Sequence, residues 1–197
     1  AMPDRSPDRG ATPDQLRDRA RQAARGGDFA TALAHMEEAC RLAPARGDLH
    51  FQQGSLLAHA GRLEEALRHF LATTELAPGS ADAWLFQGRA LSGLGRHAEA
   101  LRAYREAYRL APADQRVLHA AAEAEFAHGW PADALPMWTS LLERDRMDVH
   151  ARLRTAESLA RTGGQDQAVA LYREGVRLLP GADALWLALG QAEEDCG

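Results

Sequence analysis

"RLAP" at 41–44, "ELAP" at 75–78 and "RLAP" at 109–112 set Pro44, Pro78 and Pro112 at one constant interval along the chain. Proline has no backbone N–H, and its ring clashes with the preceding turn, so each tripeptide marks the end of a helix. With Pro44 as position 32 of a 34-residue unit, the chain lays out as five units: 13–46, 47–80, 81–114, 115–148 and 149–182. A partial sixth begins at 183.

Other columns fall into line. Position 15 is Gly27, Gly61, Gly95, Gly129 and Gly163; position 20 is Ala32, Ala66, Ala100, Ala134 and Ala168. Position 24 is always large and apolar: Met36, Phe70, Tyr104, Trp138 and Tyr172. Position 8 is always small: Ala20, Gly54, Gly88, Ala122, Ala156 and Gly190. Apolar spacing within a unit is helical, as in Leu63, Ala66, Leu67, Phe70 and Leu71. Glycine at position 15 suits the left-handed residue that closes a helix. Thr12, Ser80, Asp114 and Asp148 stand where they cap the next helix. Small residues at 8 and 20 let two helices approach, and the large residue at 24 fills the space beside them. Each unit therefore reads as helix A, a tight turn and helix B.

This pattern resembles the tetratricopeptide repeat family, across about residues 13–197. The expected fold is all-α, a right-handed α-solenoid of helix–turn–helix repeats. A loose tail is expected over 1–12, and a terminal helix over 183–195 packed on the last helix B through Trp186 and Leu189. Unit 4 departs from the pattern: Arg146 replaces the proline, and Pro136 lies inside helix B, where a bend is expected.

Composition narrows the function classes. The chain has 197 residues and a formal net charge of −5, and all 23 of its cationic side chains are Arg. Lys, Asn and Ile are absent, a codon bias that points to a GC-rich, bacterial genome. An acidic total without a basic run argues against nucleic acid as a partner. No secretory leader or membrane span is visible, so a cytoplasmic location without membrane insertion is expected. Two cysteines are too few for a disulfide framework. Cys40 falls in a packing column with Tyr108, Leu142 and Val176.

No catalytic constellation, cofactor motif or metal-binding spacing is found among the residues, so no enzyme activity, cofactor or metal is expected. The resemblance implies a docking surface on the concave face lined by helix A, at positions 2, 5, 6, 9, 12 and 13. The partner-binding residues expected there are Arg17, Arg21, Phe51, Gln52, Ser55, His59, Phe86, Arg89, His119, Glu123 and Arg154. Aromatic anchors beside guanidinium groups suit a protein or extended peptide carrying acidic and apolar side chains. The family's carboxylate clamp for chaperone tails needs Lys, Asn, Asn, Lys and Arg. Here Arg17, Arg21 and Gln52 occupy three of those places, and Asp82 stands where a cation belongs. An alternative is a substrate-recruiting N-terminal part of a larger transferase or hydroxylase whose catalytic domain lies beyond residue 197.

Overall fold

The computed structural model describes residues 10–196, in two compact units that divide between Arg96 and His97. Every regular element among the described residues is an α-helix. The first unit holds α1 (Pro13–Arg25), α2 (Phe29–Leu42), α3 (Gly47–His59), α4 (Leu63–Leu76) and α5 (Ala81–Gly93). The second holds α6 (His97–Leu110), α7 (Gln115–Ala127), α8 (Pro131–Arg144), α9 (Val149–Arg161), α10 (Gln165–Leu178) and α11 (Asp183–Cys196). Within each unit every helix packs on its neighbours along the chain. None of these helices is long and apolar enough to cross a membrane. The expected tail over 1–12 falls mostly outside the described residues.

The repeat columns become packing rules. Ala32, Ala66, Ala100, Ala134 and Ala168 are all buried, as are Met36, Phe70, Tyr104, Trp138 and Tyr172. Gly54 shows why position 8 stays small: a Cβ there would sit 2.8 Å from Cε1 of Phe70. The five turn glycines, Gly27, Gly61, Gly95, Gly129 and Gly163, have φ of 82°, 75°, 74°, 84° and 92°. A side chain at such a φ is strained, so these turns need glycine. Thr12 builds a full capping box on α1: its hydroxyl accepts from the Gln15 N–H at 3.3 Å, and its own N–H donates to Gln15 Oε1 at 2.9 Å. Ser80, Asp114 and Asp148 cap α5, α7 and α9.

Helix α8 stays helical through Pro136, whose exposed ring lies on the solvent side. There water can bond the backbone carbonyl that the ring leaves without a donor, so the proline does not end the helix.

A further regularity sits at position 4. Trp84 Nε1 donates to the carbonyl oxygen of Pro78 at 2.9 Å, and Trp186 Nε1 to that of Pro180 at 3.1 Å. Arg152 Nη2 donates to the carbonyl of Arg146 at 2.8 Å, and His50 Nε2 lies 3.0 Å from that of Pro44. Each bond fastens the residue at position 32 of one repeat to the first turn of the next.

In α11 the inward face is Leu185 and Leu189, both buried with Val169, Tyr172 and Val176 of α10. Trp186 is 51% exposed, which corrects the expectation that it packs on α10. One residue on from Leu185, it is turned by about 100° around the helix, away from the buried stripe. Deleting residues 183–197 should uncover the apolar face of α10, lower the melting temperature and promote self-association. Thermal melts with light scattering test this; an unchanged, monomeric truncation would show that α11 contributes nothing.

Candidate peptide-docking surface

The residues expected to bind a partner divide between the two units. In the first, α1 supplies Arg17 and Arg21, α3 supplies Phe51, Gln52, Ser55 and His59, and α5 supplies Phe86 and Arg89. Four of them come together. Arg21, Gln52, Ser55 and His59 line a cavity of about 510 Å³ whose walls include Ala20, Ala24, Phe29, Met36 and Leu56. Arg21 Nε donates to Gln52 Oε1 at 3.1 Å, which joins α1 to α3 across the mouth. The His59 ring lies 4.9 Å from the ring of Phe29, the first residue of α2. Arg25, at the end of α1, adds a second exposed cation to the rim. The result is an apolar recess edged by guanidinium groups and one imidazole.

Beside it stands an aromatic cluster. The Phe51 ring meets Phe86 edge-on at 5.3 Å, and both lie close to Phe70, at 5.9 and 5.8 Å. Phe51 and Phe86 are half-buried, so each keeps part of its surface open beside the core. Arg89 places its guanidinium 5.3 Å from the Phe86 centroid. Leu85 is fully buried and belongs to the core.

Arg17 is differently placed. Asp14 holds it at 2.7 Å and Asp18 at 3.2 Å, with Asp48 at 3.9 Å. Arg46 bonds both Asp14 and Asp48, and its hydrogen bonds to Asp48 hold that carboxyl below its ordinary range, against the opposing effect of burial. Arg17 thus belongs to an ion-pair network joining α1 to α3, and its charge is already matched.

In the second unit His119, Glu123 and Arg154 do converge, across α7 and α9. His119 stacks on His150 at 5.3 Å, and both rings stand edge-on to Trp138. His150 Nε2 lies 3.4 Å from Glu123, whose other oxygen accepts from Arg154 Nη2 at 2.9 Å. Arg154 also bonds Glu157 at 2.9 Å and, with Arg161, lies 4.8 Å from the Phe126 centroid. Burial works against the Arg154 charge, but Glu157 and Glu123 outweigh it and hold the guanidinium above its ordinary range. This set is therefore internally compensated, and an acidic ligand would have to displace two carboxylates to use Arg154.

The paired helices, glycine turns and packing columns match one family of sequences. The tetratricopeptide repeat family model matches residues 17–81, 64–115 and 119–183. The chain belongs to the tetratricopeptide repeat family. Solved tetratricopeptide repeat proteins share its fold. YrrB, described as a TPR protein with an unusual peptide-binding site, superposes with a TM-score of 0.77 at 17% identity, over 88% of this chain and 90% of its own. Residues 41 to the end of MamA from Desulfovibrio magneticus RS-1 give 0.74 at 19% identity, over 88% and 98%. The first TPR of Spaghetti (RPAP3), bound to an HSP90 peptide, gives 0.57 at 15% identity, over 60% and 94%. No curated protein matches the chain. At these identities the likeness is one of fold. Membership of the tetratricopeptide repeat family makes the chain a protein-interaction module.

Proposed function

We propose that this tetratricopeptide repeat protein is a non-catalytic docking module that holds an extended peptide, with acidic and apolar side chains, against α1, α3 and α5. The observation that carries this reading is the convergence of Arg21, Gln52, Ser55 and His59 on the rim of an apolar recess. The recess takes an apolar side chain, and Arg21 and Arg89 take the flanking carboxylates. The open parts of Phe51 and Phe86 extend the apolar track toward α5. The second unit contributes less to an acidic ligand, because Arg154 is already bound by Glu123 and Glu157.

The test is fluorescence anisotropy with labelled peptides that alternate Glu with Leu or Phe. Arg21→Glu with Arg89→Glu should weaken binding by roughly ten-fold or more, since a charge-assisted hydrogen bond contributes about 1.5–3 kcal/mol. Arg68→Glu with Arg102→Glu changes net charge equally, at exposed positions on α4 and α6, and should have a much smaller effect. A larger loss from the second pair would place the binding face on the B helices and refute the assignment.

A further inference from the structure

Three side chains from three successive helices meet on the first unit, apart from the recess. Cys40 of α2, His50 of α3 and His69 of α4 bring one ligand atom each to within 4.8 Å of one another. The two imidazoles face each other through Nδ1 atoms 3.1 Å apart. Cys40 is buried and both histidines are half-buried, so the cluster is enclosed yet reachable.

The repeat itself determines which nitrogen of His50 carries the proton. At the same position of other repeats, Trp84, Arg152 and Trp186 bond the equivalent backbone carbonyl with groups that can only donate. His50 Nε2, 3.0 Å from the Pro44 carbonyl, fills the same place and is therefore N–H. Its Nδ1 is left with a lone pair, which accepts from His69 Nδ1–H in the metal-free chain. An imidazole whose far N–H is anchored on a backbone carbonyl is the usual arrangement of a metal-bound histidine.

We propose that Cys40, His50 and His69 bind one zinc ion, through Sγ and the two Nδ1 atoms. Tetrahedral zinc with bonds of about 2.0–2.1 Å to nitrogen sets two nitrogens roughly 3.3–3.4 Å apart. The observed 3.1 Å needs an adjustment of a few tenths of an ångström. The same geometry sets sulfur roughly 3.6 Å from nitrogen, with a Zn–S bond of about 2.3 Å. Sγ lies within 4.8 Å of one nitrogen of each ring, at most little more than an ångström beyond that separation. One thiolate and two imidazoles form a borderline-soft donor set, suited to zinc and unsuited to calcium or magnesium. A water completes the fourth position. The ion would tie α2, α3 and α4 together, across the joint between the first two repeats.

Proton balance gives the site a signature. Zinc takes cysteine as the thiolate, and an ordinary thiol keeps its proton at neutral pH, so the metal-free Cys40 carries one. Zinc thus forms a bond to Sγ as the thiol proton leaves to solvent, and to His69 Nδ1 as that ring exchanges its Nδ1 proton for one on Nε2. One proton is released per ion, and affinity rises with pH through the neutral range.

The experiment uses the full chain, stripped with a chelator and titrated with zinc chloride by calorimetry in buffers of differing ionisation heat. One ion per chain, about one proton released and a higher melting temperature are expected. Cys40→Ser and His69→Gln should each weaken binding by at least about 100-fold, the upper end of the loss seen when only a supporting group is removed. His119→Gln, in the other histidine cluster, should leave it unchanged. A Cys196→Ser chain loaded with cobalt(II) should show a thiolate-to-cobalt charge-transfer band. With Cys196 gone, Cys40 is the one thiol left in the sequence to produce it. This reading holds even if the ligand variants fold poorly. No zinc uptake by the folded chain, no thiolate band, or binding lost with His119→Gln and kept in His69→Gln would overturn the proposal.

Discussion

Replacing Trp138 with alanine is expected to remove about 3–5 kcal/mol of folding stability, as truncating a large aromatic in a packed core does. Trp138 is fully buried on α8, and its ring is flanked edge-on by His119 and His150. Neighbours on three helices, α7, α8 and α9, would line the cavity left behind, and regular helices cannot collapse far to fill it. Trp138→Phe keeps an aromatic ring and should cost markedly less. Urea denaturation followed by far-ultraviolet circular dichroism measures both. A Trp138→Ala chain with an unchanged midpoint would mean that this column is not core.

The second large effect is expected at Arg105→Ala, and it works through Glu125. Glu125 lies on α7 at a position that the other four complete repeats fill with apolar residues, and only 3% of its side chain is exposed. Arg105 of α6 bonds both its oxygens, at 2.5 and 2.8 Å, and lies 4.8 Å from the Trp130 centroid. Without Arg105 a buried carboxylate stands alone. Breaking such a pair costs about 3–5 kcal/mol, and the half-exposed Arg105 places this case near the lower end. Glu125→Leu with Arg105→Ala should recover most of the loss, because a matched apolar pair carries no desolvation penalty. A deficit that persists in the double variant would assign the effect to lost packing on Trp130.

How far the sequence alone reaches is clear from these residues. The helix pairs, the glycine turns and the small/large columns were legible, because each depends on contacts that recur once in every repeat. The candidate site was legible only in part. Helix A positions were enough to find Arg21, Gln52, Ser55 and His59. They did not reveal Phe29, Leu56 and Met36, which wall the recess from other columns. The neutralised cations had a visible sign: Asp14 and Arg17, like Arg154 and Glu157, stand one turn apart on a single helix, where opposite charges meet. The Cys40, His50 and His69 cluster had no such sign. Its members are unevenly spaced along the chain and occupy different columns, so only the stacking of three helices brings them together. Trp186 was misplaced because α11 turns Leu185 and Leu189 toward α10, while Trp186, one residue on, points away from that stripe.

The side-chain donor at position 4 has a consequence for how such a chain grows. A duplicated segment one repeat long that carries such a donor brings it for the carbonyl before it and a carbonyl for the donor after it, while Leu118 in the same place shows that a repeat also closes without one. Because the acceptor is backbone, it is indifferent to which side chain supplies the hydrogen. Indole, guanidinium and imidazole have all been admitted in this chain. Descendant copies are therefore free to drift at this position among donors, and a copy that drifts to histidine gains a second ring nitrogen that the joint does not use. In this way gene duplication supplies new ligand atoms at a seam already secured, without first having to loosen the fold.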